Sequence, residues 1–230
     1  MPEISYPIYL DSHATTPVDP RVLKEMMPYF TENFGNASSL DHSFGYDASI
    51  AVSQAREIIA KSIGANMDEI IFTSGATESD NLALIGVMER NKSKGNHLIT
   101  CVTEHKAILD TARHLEEQGY KVTYLSVDEF GFINLDELRN SITDETVLIS
   151  IMFANNEIGT IANVSKIGKI AHEYDVLFHT DAAQAVGHIA IDVKKLNIDL
   201  MSFSSHKIYG PKGIGALYIR SISPRVKLDS

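Results

Sequence analysis

The sequence predicts a doubly wound α/β domain, built on a mostly parallel seven-stranded sheet with helices on both faces. Short runs rich in β-branched and aromatic residues alternate with longer amphipathic stretches over most of the 230 residues. Several of the short runs, such as residues 147–152, are almost continuously apolar, which is typical of strands covered on both faces. Such alternation favours parallel strands joined by right-handed helical crossovers.

Seven strands are expected where apolar segments are bounded by turn residues. They lie at residues 69–73, 97–102, 121–125, 146–152, 176–180, 200–204 and 214–219. The last of them follows a hairpin-like turn that contains glycine and proline, so it would complete the sheet and could run antiparallel.

Helix signals occupy the intervals between the strands. Asp19 followed by Pro20 is typical of an N-cap and a first helical position, which predicts a helix over residues 21–33. Residues 44–63 carry apolar side chains at helical spacing, and Gly64 can end that helix. Further helices are predicted at residues 79–89, 106–118 and 163–173.

The charge balance excludes several classes of partner. With 20 basic and 30 acidic side chains, the net charge is −10. Such a chain repels phosphate backbones and anionic lipid surfaces, so we expect no nucleic-acid and no membrane partner. No apolar run approaches the roughly 20 residues that cross a bilayer, and no secretory signal is visible. The single cysteine, Cys101, can form neither an intrachain disulfide nor a Cys-rich metal site. We therefore expect a cytoplasmic protein without a metal.

The turn at residues 74–79 joins the first predicted strand to a helix. Small residues at such a turn allow backbone N–H groups to approach an anion, and a helix N-terminus favours negative charge. The hydroxyl of Thr77 would add a donor for a phosphate group. The same residues could equally form a capping turn, with Glu78 near the helix start. It is not a Walker loop, because no Gly-Lys-Ser/Thr follows.

Three other side chains follow predicted strands directly or closely. Asp181 follows the fifth strand, where it either faces the ligand crevice of an open sheet or caps the next turn. Lys207 follows the sixth strand beside hydroxyls and His206, where an amine can form a Schiff base, although most lysines are solvated surface groups. His105 follows the second strand, and a single histidine there is more often a cap or a surface residue.

These features together match the requirements of pyridoxal 5'-phosphate. That coenzyme needs a phosphate cup, an amine for a Schiff base and an acid that keeps its pyridine nitrogen protonated. The carboxyl ends of parallel strands meet at one edge of a sheet, so the three groups can converge there.

Six motifs extend from the N-terminus almost to the end of the chain. They are YLD at 9–11 with ATTP at 14–17, FTSGATESDN at 72–81, TEHK at 103–106, NNEIG at 155–159, DAAQ at 181–184 and SSHKIYGPKG at 204–213. In these motifs the chain resembles the cysteine desulfurases of the class V aminotransferase family, which have the fold-type I architecture of pyridoxal-phosphate enzymes. The branch that supplies iron–sulfur cluster assembly is the most similar.

The resemblance implies a role for each residue of the site. It gives Lys207 the role of the Schiff-base lysine, Asp181 that of the partner of the pyridine nitrogen, and His105 that of a ring-stacking proton carrier. It places Gln184 at the phenolic oxygen of the ring and Asn156 near the ring and the substrate carboxylate. The residues that it implies around the phosphate are Ala76, Thr77, Ser204 and His206.

The function that the resemblance implies is conversion of L-cysteine to L-alanine. The sulfur would pass as an enzyme persulfide to an iron–sulfur scaffold protein, and the enzyme would be a homodimer. The alternatives are another class V enzyme, such as an aminotransferase or a selenocysteine lyase, and a non-catalytic relative. The resemblance implies a catalytic cysteine well C-terminal of Lys207, in sequence that this chain does not contain. Cys101 is no substitute, because it falls in a predicted strand, where a small buried apolar residue is expected.

The same resemblance implies a division of the chain. Residues 1–18 would form a segment that packs near a C-terminal small domain absent from this sequence, residues 19–220 would form the coenzyme-binding domain, and residues 221–230 would form a tail. We expect the first segment to expose apolar side chains, namely Ile4, Tyr6, Ile8 and Leu10. The chain departs from the family pattern at Ser205, where glycine is usual and a Cβ could crowd the turn, and at residues 36–39.

Overall fold

A seven-stranded sheet organises residues 7–229, the part of the chain that this computed structural model describes. The strands are β1 (Ile70–Thr73), β2 (His97–Cys101), β3 (Lys121–Leu125), β4 (Thr146–Ser150), β5 (Leu177–Asp181), β6 (Leu200–Ser204) and β7 (Gly215–Ile219). Their order across the sheet is β1-β7-β6-β5-β4-β2-β3. All neighbours from β6 to β3 are parallel, whereas β7 is antiparallel to both β6 and β1. The predicted mostly parallel sheet and its antiparallel last strand are confirmed.

Seven α-helices connect or flank these strands in the described residues. They are α1 (Pro20–Met26), α2 (Pro28–Thr31), α3 (Ser43–Ser62), α4 (Ala76–Arg90), α5 (Lys106–Glu117), α6 (Leu135–Ser141) and α7 (Val164–Glu173). The single helix predicted over residues 21–33 is wrong, because Pro28 has no N–H for the helical ladder and starts a separate short helix. Helix α4 begins three residues earlier than predicted, which brings its first turn to the end of β1. The sequence analysis missed α6, a helix of two turns.

Alternation along the strands builds two apolar layers. On one face, Leu148 joins a cluster with Leu84 of α4 and Ile108 of α5. On the other face, the next residue, Ile149, joins a cluster with Ile167 of α7 and with residues of α3 and α6. Since both faces are covered by helices, polar side chains in the middle of these strands are buried, and a ligand can reach the sheet only at its edges.

Close contact between β7 and the turn after β1 requires glycine. A Cβ at Gly215 would lie 2.6 Å from the Cα of Gly75 and 2.7 Å from the carbonyl oxygen of Phe203. Gly215 is paired with Thr73 in the sheet, so the β1–α4 turn rests directly on the start of β7. The turn is thereby held beside the carboxyl end of β6.

Four apolar side chains of the N-terminal segment were predicted to be exposed, and the two that the structure describes are exposed. Ile8 is 55% exposed and Leu10 is 87% exposed. Ile4 and Tyr6 lie outside the described residues. Among residues 7–229, none of the helices has both the length and the apolar character that a membrane crossing requires.

Candidate active site

A cleft of about 750 Å³ lies where the parallel strands end. Its volume is within the range of small-molecule sites, roughly 300–1,000 Å³. All nine residues that the sequence analysis expected to contact a coenzyme line it. They are Ala76, Thr77, His105, Asn156, Asp181, Gln184, Ser204, His206 and Lys207. The structure therefore brings the complete predicted set together, although its members lie up to 131 positions apart in the sequence.

The first turn of α4 forms one wall of the cleft. Gly75 is the N-cap residue, and because it has no side chain, it does not cover the N–H groups of the first turn. The Glu78 carboxylate accepts hydrogen bonds from the backbone N–H and the hydroxyl of Ser74, each at 2.6 Å. Ala76 and Thr77 line the cleft, and the N–H groups of a first helical turn have no partner within the helix. Glu78 therefore caps the turn as one interpretation predicted, while Ala76 and Thr77 lie against the cleft, where the predicted anion contact stays a prediction.

The space in front of Gly75 fits an anion. A Cβ built at Gly75 would have a single near neighbour, the Ser204 hydroxyl oxygen at 3.9 Å. Ser204 is the last residue of β6, and both residues line the cleft. A hydroxyl donor, a helix N-terminus and open space between them are the features of a phosphate cradle. The residues present therefore fit the phosphate of a coenzyme.

Asp181 is the last residue of β5 and is only 4% exposed. Its Oδ1 accepts the backbone N–H of Ala183 at 2.9 Å, so it caps the following turn as well as lining the cleft. Burial raises the pKa of Asp181, and three groups oppose the shift: the Ala183 N–H, His105 and Lys207. A buried carboxylate in this position favours a cationic or N–H-bearing ligand group.

Lys207 ends a short 3-10 turn, Ser205–Lys207, that follows β6. Its amine donates hydrogen bonds to the carbonyl oxygens of His13 and of Ala14, the latter at 3.0 Å. Burial lowers the pKa of Lys207, while the charges of Asp181 and Asp11 raise it. A lysine of lowered pKa is a better nucleophile at neutral pH than an exposed one.

His105 is the N-cap residue of α5. Its Nδ1 accepts the backbone N–H of Ala107 at 3.2 Å, so the neutral ring carries its proton on Nε2. The residue also lines the cleft. The capping role is therefore confirmed, and it leaves the side chain in the cleft lining, where its predicted role at the coenzyme stays a prediction.

Two further side chains are held by local hydrogen bonds. Gln184 donates from Nε2 to the His13 carbonyl at 2.9 Å. Asn156 donates from Nδ2 to the carboxylate of Glu157 at 2.8 Å. The loop that carries Asn156 is fixed by Asn155, whose Oδ1 accepts the backbone N–H of Glu157 at 2.8 Å.

The N-terminal segment forms part of the site, which the sequence analysis missed. Asp11, His13 and Ala14 line the cleft. Thr16 anchors the segment, because both its N–H and its hydroxyl donate to the His206 carbonyl, at 2.9 and 3.0 Å. The ATTP motif at residues 14–17, which contains Ala14, is the sequence signal that could have indicated this part of the site.

Ser205 fits its position without a clash. Its hydroxyl donates to the Pro211 carbonyl at 2.6 Å. Gly210 provides the room, because a Cβ there would lie 2.5 Å from the Ser205 oxygen. The crowding expected from the serine is therefore relieved by a glycine five residues later.

Cys101 lies away from the cleft lining, at the end of β2, and is 3% exposed. Burial raises the pKa of its thiol to about 12. The thiol lies 3.3 Å from Oε1 of Glu104. It is a small buried side chain, as the sequence predicted, and not an accessible thiolate.

The amino-acid sequence is similar to those of known proteins. Residues 8–226 match the family described as aminotransferase class-V. The chain is 56% identical to the protein named cysteine desulfurase IscS of Rickettsia massiliae and 58% identical to that of Ehrlichia chaffeensis, over 98% of its own length and 55% of theirs. It thus spans about half the length of these relatives.

Solved structures of similar fold include cysteine desulfurase-like proteins. The structure titled SspA in complex with cysteine has a TM-score of 0.90 and 46% identity, covering 92% of this chain and 61% of that one. A NifS-like protein has a TM-score of 0.91 and 43% identity, covering 95% and 60%. The sheet is that of fold-type I enzymes. The chain belongs to the class V aminotransferase family, whose enzymes depend on pyridoxal phosphate.

Proposed function

We propose that this chain provides the coenzyme-binding part of a cysteine desulfurase. The enzyme would convert L-cysteine to L-alanine and pass the sulfur, as a persulfide, to iron–sulfur cluster assembly. The observation that carries this proposal is the convergence of Lys207, Asp181, His105 and the first turn of α4 on one cleft. The names of the similar proteins support the choice of cysteine as substrate.

Different residues of the cleft would bind different groups of pyridoxal phosphate. Bound there, the coenzyme supplies an electron-withdrawing ring that stabilises negative charge at the Cα of an amino acid. Ala76, Thr77, Ser204 and His206 hold the phosphate. Gln184 donates to the phenolic oxygen, and Asn156 lies toward the substrate carboxylate.

Three side chains hold or move protons. Asp181 keeps a proton on the pyridine nitrogen, because a buried carboxylate favours a cationic partner. Lys207 would hold the coenzyme, and its lowered pKa favours a neutral amine that can accept the proton of the substrate Cα. His105 covers the ring face, and its Nε2–H can pass a proton to the sulfur side of the substrate.

Sulfur transfer needs an accessible thiolate. That thiolate would attack the substrate sulfur, forming the S–S bond while the C–S bond breaks and its electron pair passes to the substrate carbon. Cys101 is unsuited, because burial raises its pKa to about 12. We assign the thiolate to a residue outside these 230 positions, and the division into residues 1–18, 19–220 and 221–230 belongs to the same proposal.

We also propose a cytoplasmic homodimer that delivers sulfur to a scaffold protein. Large apolar side chains on and near α2 and α3 are exposed in the single chain, among them Phe30 at 68%, Phe34 at 66% and Ile58 at 69%. Exposed large apolar side chains of this kind favour association. Light scattering tests this point, and a well-behaved monomer at micromolar concentration would count against it.

The coenzyme part of the proposal is tested by borohydride reduction of the protein mixed with pyridoxal phosphate. Peptide mass spectrometry should find the reduced adduct on Lys207. Lys207→Ala should lose it, whereas Lys212→Ala, a change in the same loop but outside the cleft lining, should keep it. An adduct spread over surface lysines in all three proteins would refute the site.

The reaction is tested with L-cysteine, added coenzyme and a thiol reductant. Because the attacking thiolate is assigned outside these 230 positions, the added thiol must take its place; alanine and sulfide should then form in equal amounts and should be absent with Lys207→Ala. Amino transfer to a 2-oxo acid without sulfide would instead favour an aminotransferase. If coenzyme is held on Lys207 but neither product forms, the chain is a binding domain that needs further sequence for turnover.

A further inference from the structure

A buried polar network lies beneath the cleft, on the face of the sheet that α4 covers. Ser150 of β4, His179 of β5 and Ser202 of β6 are each 0% exposed. The Ser150 hydroxyl lies 2.9 Å from Nδ1 of His179, and the Ser202 hydroxyl lies 2.9 Å from Nε2. Both ring nitrogens of His179 therefore have a hydroxyl partner, and the three side chains form a continuous row across adjacent strands.

Asp80 of α4 projects toward this row and is also 0% exposed. Its Oδ1 is 3.7 Å from Nε2 of His179, too far for a hydrogen bond, and within the described residues neither of its oxygens has a donor. A buried carboxylate without donors or a cation costs several kcal/mol, so the group keeps its proton instead. His179 cannot supply the cation, because burial lowers its pKa to about 3 and keeps the ring neutral.

Two other buried carboxyls lie near enough to act on the pKa of Asp80, namely Asp181 at the end of β5 and Glu104 after β2. Burial raises the pKa of Asp80 well above its usual value, and the negative charge of Asp181 raises it further. The nearby Ser202 hydroxyl, which lies outside hydrogen-bond geometry with Asp80, opposes the shift. Asp181 differs from Asp80 because it accepts the Ala183 N–H and faces Lys207. When one proton is shared between the two aspartates, it therefore belongs on Asp80.

We propose that Asp80 is a positioning residue that carries a proton, held over the Ser202–His179–Ser150 row, and so leaves the negative charge of the buried pair on Asp181. The protonation of Asp80 does not depend on the proposed function, whereas its effect on Lys207 rests on that function. A second negative charge there would stabilise the ammonium form of Lys207, whose amine must be neutral to bind the coenzyme covalently. Asp80 thus acts on Lys207 through the charge of Asp181.

Infrared difference spectra of the coenzyme-free protein at pH 7 test where the proton lies. Asp80→Asn is nearly isosteric and should remove a carbonyl band of a protonated carboxyl. Asp144→Asn, at an exposed turn, should remove carboxylate bands instead. Loss of carboxylate bands with Asp80→Asn would overturn the proposal. If that variant fails to fold, Ser202→Ala should shift the protonated band, and an unshifted spectrum would overturn the proposal as well.

The consequence is tested on the protein loaded with pyridoxal phosphate, by titrating its visible absorbance from neutral to alkaline pH. The wild type and Asp144→Asn should show an alkaline step from ionisation of Asp80 that Asp80→Asn lacks. An identical titration in all three proteins would overturn the link to Lys207. If none of the three can be loaded, the proposed function fails, and the infrared spectra still decide the protonation of Asp80.

Discussion

Replacing Glu104 by glutamine should lower the free energy of unfolding at pH 5 but raise it at pH 8. The carboxyl is buried beneath the cleft, where its Oε1 accepts the backbone N–H of Met152 at 2.6 Å and its Oε2 has no partner in the described residues. Burial raises the pKa of Glu104 from 4.5 to about 8, and the nearby charge of Asp181 adds to the shift. Glutamine keeps the acceptor for Met152 but cannot titrate.

The magnitude follows from linkage. Since the folded state binds this proton more tightly than the unfolded state, the stability contribution is complete below pH 4.5 and is lost as the pH rises to about 8. At about 1.4 kcal/mol per pH unit, the wild type loses roughly 3–4 kcal/mol from this group between pH 5 and pH 8. The unpartnered amide of glutamine costs about 1–2 kcal/mol at every pH. The variant should therefore be slightly less stable than the wild type at pH 5 and more stable at pH 8.

Urea unfolding at four pH values, followed by circular dichroism, measures the difference. Glu129→Gln, at an exposed position, should show no such pH-dependent difference. A difference for Glu104→Gln that stays constant within about 0.5 kcal/mol from pH 5 to pH 8 would refute a protonated Glu104. Glu104→Ala should be destabilised at all four pH values, because it leaves the Met152 N–H without an acceptor.

Three further outcomes are expected. Gly215→Ala should lower the free energy of unfolding by about 2–4 kcal/mol in urea titrations, because its Cβ would lie 2.6 Å from the Cα of Gly75; an unchanged midpoint would contradict the close approach. Gly75→Ala should change the free energy of unfolding by less than about 1 kcal/mol, because its Cβ would enter open space. It should weaken the binding of inorganic phosphate about tenfold in calorimetry. Unchanged binding would place the cradle elsewhere. Cys101 should react with iodoacetamide at pH 8 about 100-fold more slowly in the folded than in the unfolded protein, since burial raises its pKa to about 12; mass spectrometry follows the adduct, and equal rates would show an accessible thiol.

The sheet could be read from the sequence because its strands are covered on both faces. Residues such as Leu148 and Ile149 are both buried, so the apolar run is continuous and its limits are set by polar residues. The break at Pro28 and the short α6 were harder to anticipate, because a helix of seven residues leaves too little periodicity to detect.

The site was predictable wherever a polar residue follows a strand, as Asp181, His105 and Lys207 do, because fold topology then decides its position. Asp80 and His179 could not be found in this way. Each lies inside a regular element, and only the packing of α4 on the sheet places Asp80 beside His179 and near Asp181. Asp11 and His13 were missed for the related reason that a connecting segment has no periodicity to indicate what it covers.

The pairing of β1 with β7 has a consequence for how the protein is made. In the described sheet β1 has no other neighbour, and its partner is translated about 145 residues later. A nascent chain on the ribosome can form the parallel strands in the middle of the sheet first, but the β1–α4 turn waits for Gly215 to emerge. Thr16 likewise waits for His206 and Tyr209. The cradle at the mouth of the cleft can therefore be completed only after most of these 230 residues have been synthesised.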